Sequence, residues 1–138
     1  NFDFIPLFQD EYVAVCSAEH PFSKMISVSI TDIEKESFII PGEGTKLELG
    51  SILDSNHIHL NSKYNSTDDI GTIALVQENL GVTILPRLLL DSIPHRVCIR
   101  PLREHYYRML GIATLENAVL PAATKQFIQY ASDYISSL

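Results

Sequence analysis

Ser66 and the twenty residues after it constrain the fold of this chain more than any other stretch. Ser66-Thr67-Asp68-Asp69 opens a helix, because small polar side chains serve the first backbone N–H groups and acids suit the positive end of the helix dipole. Ile70, Ile73, Ala74 and Leu80 then supply an apolar face, and Gly81 is the natural residue just past the helix end. Val82-Thr83-Ile84-Leu85-Pro86 follows at once, an apolar and β-branched run that proline closes. A helix feeding directly into a strand of this kind belongs to a layered α/β protein whose strands are covered on both faces.

The remaining segments fit the same alternation. Residues 12–18 read as another buried strand, and His20-Pro21 ends it in an extended turn, since proline disfavours helical backbone at the residue before it. Thr31-Asp32-Ile33-Glu34 fits a capping box at the start of a short helix. Ser37-Phe38-Ile39-Ile40 is a short strand running into Pro41-Gly42-Glu43-Gly44-Thr45, a loop whose two glycines permit positive φ. Leu49, Ile52 and Leu53 stand at helical spacing, with Thr45 or its neighbour as N-cap and Gly50 as an unfavourable interior residue. Residues 57–64 and 97–102 read as strands, 87–91 as a short helix and 109–114 as a further strand. Pro121 starts a terminal helix with Phe127, Ile128, Ala131, Ile135 and Leu138 in one stripe.

This order predicts an α/β fold with a largely parallel sheet, in which ligands bind beyond the carboxyl ends of the strands. Two loops leave a strand and open a helix there, 41–45 and 66–69. Both bring backbone N–H groups and small hydroxyls to one edge, which suits a small polar or anionic ligand. Thr45, Ser66 and Thr67 are equally explained as helix caps alone and as caps that also touch a ligand.

Charge narrows the function classes. Ten Lys and Arg against 17 Asp and Glu give a net charge of −7 in 138 residues, which disfavours direct contact with nucleic acid or an anionic membrane surface. No apolar stretch approaches the ~20 residues of a membrane span, and no leader-like segment points to export, so a cytoplasmic location is expected. The opening Asn1-Phe2-Asp3-Phe4 without Met reads as a piece of a longer parent. Cys16 and Cys98 each sit in an apolar run and read as small buried hydrophobes rather than a disulfide. Gly42-Glu43-Gly44 lacks the third glycine of a dinucleotide fingerprint, and neither a phosphate-loop lysine motif nor a Gly-x-Ser-x-Gly elbow is present, so no cofactor is implied. His57 and His59 would share a strand face but have no further metal ligand at suitable spacing. Asp68 and Asp69 are explained by the helix start, His20 by its turn, and Tyr106 and Tyr107 beside Arg103 and Arg108 as anchors of a solvated loop. Nothing in this set requires an enzyme.

Several segments together resemble the effector-binding (substrate-binding) domain of LysR-type transcriptional regulators. They are Pro6-Leu7-Phe8-Gln9-Asp10-Glu11-Tyr12-Val13-Ala14-Val15 with Glu19-His20-Pro21-Phe22, and Ser29-Ile30-Thr31-Asp32-Ile33 with Glu36-Ser37-Phe38-Ile39-Ile40. The most specific is Thr72-Ile73-Ala74-Leu75-Val76-Gln77-Glu78-Asn79-Leu80-Gly81-Val82-Thr83-Ile84-Leu85-Pro86, and Ala123-Thr124-Lys125-Gln126-Phe127-Ile128 also fits. Asn79 departs from the pattern, since the family often has glycine two positions before Gly81.

The resemblance implies a periplasmic-binding-protein-like ligand sensor. One Rossmann-like subdomain, 21–107, is complete with a mixed or parallel sheet, and 1–20 with 108–138 forms part of a second. A small effector would bind in the cleft between them, meeting Pro41, Gly42, Glu43, Gly44, Thr45, Ser66, Thr67 and Asp68, with Thr67 the foremost of these. It would act by shifting the geometry of a homo-oligomer on DNA, and DNA contact would belong to a winged-helix region outside this chain. A solute-binding protein of a transporter and a small-acid enzyme of similar fold are the alternatives.

Overall fold

A computed structural model describes residues 1–138, and the chain divides into two units. A central unit spans Glu11–Tyr106, and a terminal unit combines Asn1–Asp10 with Tyr107–Leu138.

β1 (Phe2–Cys16) is far longer than the 12–18 segment expected: its first half carries the apolar run Phe4-Ile5-Pro6-Leu7-Phe8, but Pro6 interrupts it, and proline within such a run argues against a central strand. In the central unit its second half pairs antiparallel with β4 (Thr83–Pro86) on one side and β5 (Cys98–Pro101) on the other. Tyr12, Ala14 and Cys16 enter one apolar cluster with Phe22, Ile33, Phe38 and Leu49, while Val13 and Val15 enter another with Ile39, Ile73, Val76 and Leu90. Coverage on both faces explains the unbroken apolar run, as foreseen. The sheets are mixed, as the resemblance implies, and less parallel than the element order suggests: β1 pairs antiparallel with β4 and β5, whereas β2 (Phe38–Ile40) and β3 (Ser62–Asn65) pair parallel and single parallel bridges join Phe38 to Val82 and Val28 to Leu102. Hydrophobic runs report burial on both faces and carry no strand direction. Cys16 and Cys98 are register partners across β1 and β5 and both thiols are free.

Capping shows where local signals misplace boundaries. His20 holds the extended backbone expected before proline, its Nδ1 accepts from the Phe22 N–H at 3.1 Å, and a short 3-10 turn follows over Pro21–Lys24. The capping box of α1 (Ile30–Ile33) starts at Ser29, not Thr31. Ser29 Oγ accepts from the Asp32 N–H at 3.1 Å while the Ser29 N–H donates to Asp32 Oδ2 at 3.1 Å. Aspartate does the work expected of Glu34, which instead accepts the His59 N–H at 3.0 Å. Residues 57–61 are not strand: His57 takes a left-handed φ of 56° after α2 (Glu43–Ser55), so His57 and His59 share no strand face.

α3 (Asp69–Gln77) buries Thr72, Ile73 and Val76, whereas Ile70 is 66 % exposed and Ala74 and Leu80 also face solvent. The buried face is therefore rotated from the expected one, because Thr72 occupies a core position. The left-handed residue after α3 is Asn79, φ 56°, two positions before Gly81. Gly81 has no positive φ. A Cβ there would lie 2.5 Å from the Ser37 carbonyl oxygen, so close backbone approach requires it.

α4 (Arg87–Ser92) returns the chain to β5. In the terminal unit β6 (Tyr107–Leu115) pairs with β1, and α5 (Ala122–Ser136) follows Pro121, which is the N-cap itself. The α5 stripe is half-buried at Ile128, Ala131 and Ile135, but Phe127 and Leu138 are exposed.

Candidate functional site

The site begins with the parallel pair of β2 and β3. Parallel strands end at the same edge, so β2 and β3 deliver residues 41–45 and 66–69 side by side, and the Ser66 N–H donates to the Ile40 carbonyl at 3.1 Å. Both loops open helices at once.

All eight residues expected from the sequence lie in these two loops, though in unequal settings. Pro41, Gly42 and Thr45 are buried, Ser66 is half-buried, and Glu43, Gly44, Thr67 and Asp68 are exposed. The expected caps are displaced. Gly42, which has no side chain, is the N-cap of α2 and Thr45 lies within the helix; Asp68 caps α3 by accepting the Gly71 N–H at 2.6 Å. Ser66 Oγ donates to the Asp68 carbonyl at 2.7 Å and Thr72 Oγ1 to the same oxygen at 2.9 Å, so hydroxyls brace the turn instead of capping it. Thr67 is thereby freed from a capping role.

Asp69 is the residue that sequence reasoning missed. Its Oδ1 accepts the Gly42 N–H at 3.1 Å and its Oδ2 accepts the Thr45 hydroxyl at 3.2 Å, which ties the start of α2 to the start of α3. The two loops meet so closely that a Cβ at Gly42 would lie 2.9 Å from Asp68 Cα. Gly42 is therefore required for proximity, since its φ of −54° is one that any residue adopts. The only sequence signal for Asp69 was the second acid of the first helical turn, which the dipole already explained.

Chemically, the edge offers donors. No side chain caps α2, so the backbone N–H groups of its first turn lie beside the exposed Thr67-Asp68 turn without a protein acceptor supplied by a cap. Asp68 and Asp69 occupy themselves with Gly71, Gly42 and Thr45. No group of three or more His, Cys, Asp or Glu is placed to hold a metal ion.

Comparison with known proteins decides the family. The sequence profile described as LysR substrate binding domain matches residues 1–136. The chain belongs to that family. A curated HTH-type transcriptional regulator of Bacillus subtilis, YvbU, is 24 % identical to this LysR-family domain over 135 residues, which are 95 % of this chain and 46 % of the relative. Escherichia coli YbhD, also named an HTH-type transcriptional regulator, is 28 % identical over 131 residues, covering 92 % and 41 %. The LysR-family domain thus spans about half the length of these relatives or less. Among solved structures, the Synechocystis PCC6803 CcmR regulatory domain in complex with 2-PG superposes with a TM-score of 0.87 at 17 % identity, covering 100 % of this chain and 69 % of that one. The effector-binding domain of QuiR in complex with shikimate gives 0.80 at 24 % identity, covering 99 % and 66 %. At these identities the superpositions establish the fold: the mixed α/β architecture is that of LysR regulatory domains.

Proposed function

We propose that this domain senses a small organic acid at the loop edge formed by Pro41, Gly42, Glu43, Gly44, Thr45, Ser66, Thr67 and Asp68. The observation that carries the reading is the joined pair of helix starts. α2 has no capping side chain, Asp69 fixes its N-terminus against α3, and the Thr67 hydroxyl is exposed one residue before the α3 cap. A carboxylate suits backbone N–H groups at a helix start, and a hydroxyl adds directional selection. The family membership supports a regulatory role, and two similar folds carry small molecules, 2-PG on CcmR and shikimate on QuiR.

No covalent step is needed. A ligand that binds one conformation better shifts the population toward it, by no more than its differential affinity. In the whole protein we place this domain as the sensing, non-enzymatic part of a cytoplasmic transcriptional regulator that works as a homo-oligomer and contacts DNA through another region.

Thermal unfolding of the chain against a panel of small organic acids, shikimate included, tests the reading. At least one acid should raise Tm in a concentration-dependent way, and Thr67→Val should reduce that rise while leaving the Tm of the free domain within about 1 °C. Stabilisation by neutral polyols and by no acid would overturn it.

A further inference from the structure

A cavity of about 200 Å³ opens in the central unit along the flank of α2, where that helix faces β2 and residues 58–62. Its wall is more apolar than polar: Phe38, Ile40, Leu49, Leu53, Ile58 and Leu60 contribute, with Pro41 and Ser62 beside them. Lys46, Gly50 and Asp54 also line it, each one helical turn from the next, so they form a single row along the helix. The row carries a cation at one end, no side chain in the middle and an anion at the other.

Gly50 gives the cavity its meaning. Glycine weakens a helix interior, and a tight neighbour is the usual structural reason to keep it. None exists here, because a Cβ at Gly50 would meet no heavy atom within 4 Å beyond its chain neighbours and the backbone of its own helix. The space that a larger side chain would fill is left open between Lys46 and Asp54. The left-handed turn at His57 brings the Ile58 N–H to the Leu53 carbonyl at 3.0 Å and so closes the far end with Ile58.

We propose that this cavity is a second small-molecule site, adjoining the loop edge only at Pro41, for a monocarboxylate with an apolar body about the size of one ring. The apolar body would lie over Gly50 against the wall. Its carboxylate would sit at the Lys46 end, and Asp54 would repel it from the other, so charge fixes the orientation as well as the class of ligand. The volume is below the ~300–1,000 Å³ of pockets for drug-sized ligands, which restricts the occupant to a compact molecule.

Cyclohexanecarboxylate is a suitable probe, with cyclohexylmethanol and cyclohexylmethylamine as neutral and cationic counterparts. Titrated into the labelled chain and followed by amide NMR, the acid should give saturable shifts at Phe38, Leu49, Gly50, Leu53 and Ile58. It should bind at least about tenfold more tightly than the alcohol. Lys46→Met should erase that preference, Lys63→Met on β3 should preserve it, and Gly50→Leu should abolish binding by filling the space. Absence of saturable shifts, equal binding of acid, alcohol and amine, or binding that survives Gly50→Leu would overturn the proposal. Shifts confined to 41–45 and 66–68 would also overturn it, by placing the acid at the loop edge. If Gly50→Leu fails to fold, the acid-to-alcohol ratio in the unmodified chain and in Lys46→Met decides.

Discussion

In the central unit β1 sends Tyr12, Ala14 and Cys16 into one cluster and Val13 and Val15 into another, all but inaccessible, whereas in the terminal unit the same strand carries Phe2 and Phe4 at 71 % and 52 % exposure. The contrast extends beyond the strand. α5 has no buried residue and shows Phe127, Tyr130 and Tyr134 to solvent at 65 %, 64 % and 66 %. The one buried residue of the terminal unit is charged: Asp10, at 2 % exposure, accepts from Arg108 Nε at 2.9 Å. Apolar burial stabilises by roughly 25 cal/mol per Å² removed from water, so that term is concentrated in the central unit. Strand pairing and an ion pair carry a larger share in the terminal unit.

Substitutions sharpen or break this contrast. Leu85, fully buried among Val13, Val15 and Leu90, should lose about 2–5 kcal/mol on change to alanine, whereas Phe127→Ala on α5 should stay within about 0.5 kcal/mol. Equal losses in chemical denaturation would erase the distinction between the units. Gly81→Ala should cost about 2–3 kcal/mol, because the new Cβ meets the Ser37 carbonyl oxygen at 2.5 Å and backbone must move. Arg108→Met should cost about 1–3 kcal/mol by removing one hydrogen-bond donor from the buried Asp10 carboxylate. Hydrogen exchange should then quicken over β6 before it quickens over β4; simultaneous loss of protection would show that the two units open together.

The smallest effects are those of pH. Burial, followed by the nearby Cys98 and against the pull of Arg100, pushes the Cys16 thiol from 9.0 up to about 11. The folded state holds that proton longer than the unfolded chain, so the stability concerned is complete below pH 9 and declines as pH rises toward about 11. Cys16→Ala should flatten this alkaline limb. Asp32 works in the opposite sense: hydrogen bonds from the Ser29 side chain and backbone hold its carboxyl below 3.8, so its contribution is present above that value and fades as pH falls further. Asp32→Asn should flatten the acid limb of a Tm-against-pH curve.

What was legible followed the same divide. Buried strands such as Thr83–Pro86 announce themselves by hydrophobicity, and the two helix-opening loops by small polar residues after strands. The first half of β1 was ambiguous, because Pro6 breaks its apolar run and the partner strand β6 lies far along the chain. Cap positions slipped by two or three residues, from Thr31 to Ser29 and from Thr45 to Gly42, since serine, threonine and aspartate side chains brace turns as readily as they cap helices. Strand direction was illegible, as it depends on connections and not on composition. The Asp69 bridge depends on two loops meeting in space, a fact that no single stretch of sequence holds.

That bridge divides the loop edge into fixed and free positions. Gly42 cannot gain a side chain without striking Asp68, and Thr45 and Asp69 hold each other, so three residues form an invariable frame. Glu43, Gly44 and Thr67 stand exposed on that frame. On the sensing role proposed for this edge, a combinatorial library restricted to those three positions should change which acid raises Tm while the frame persists.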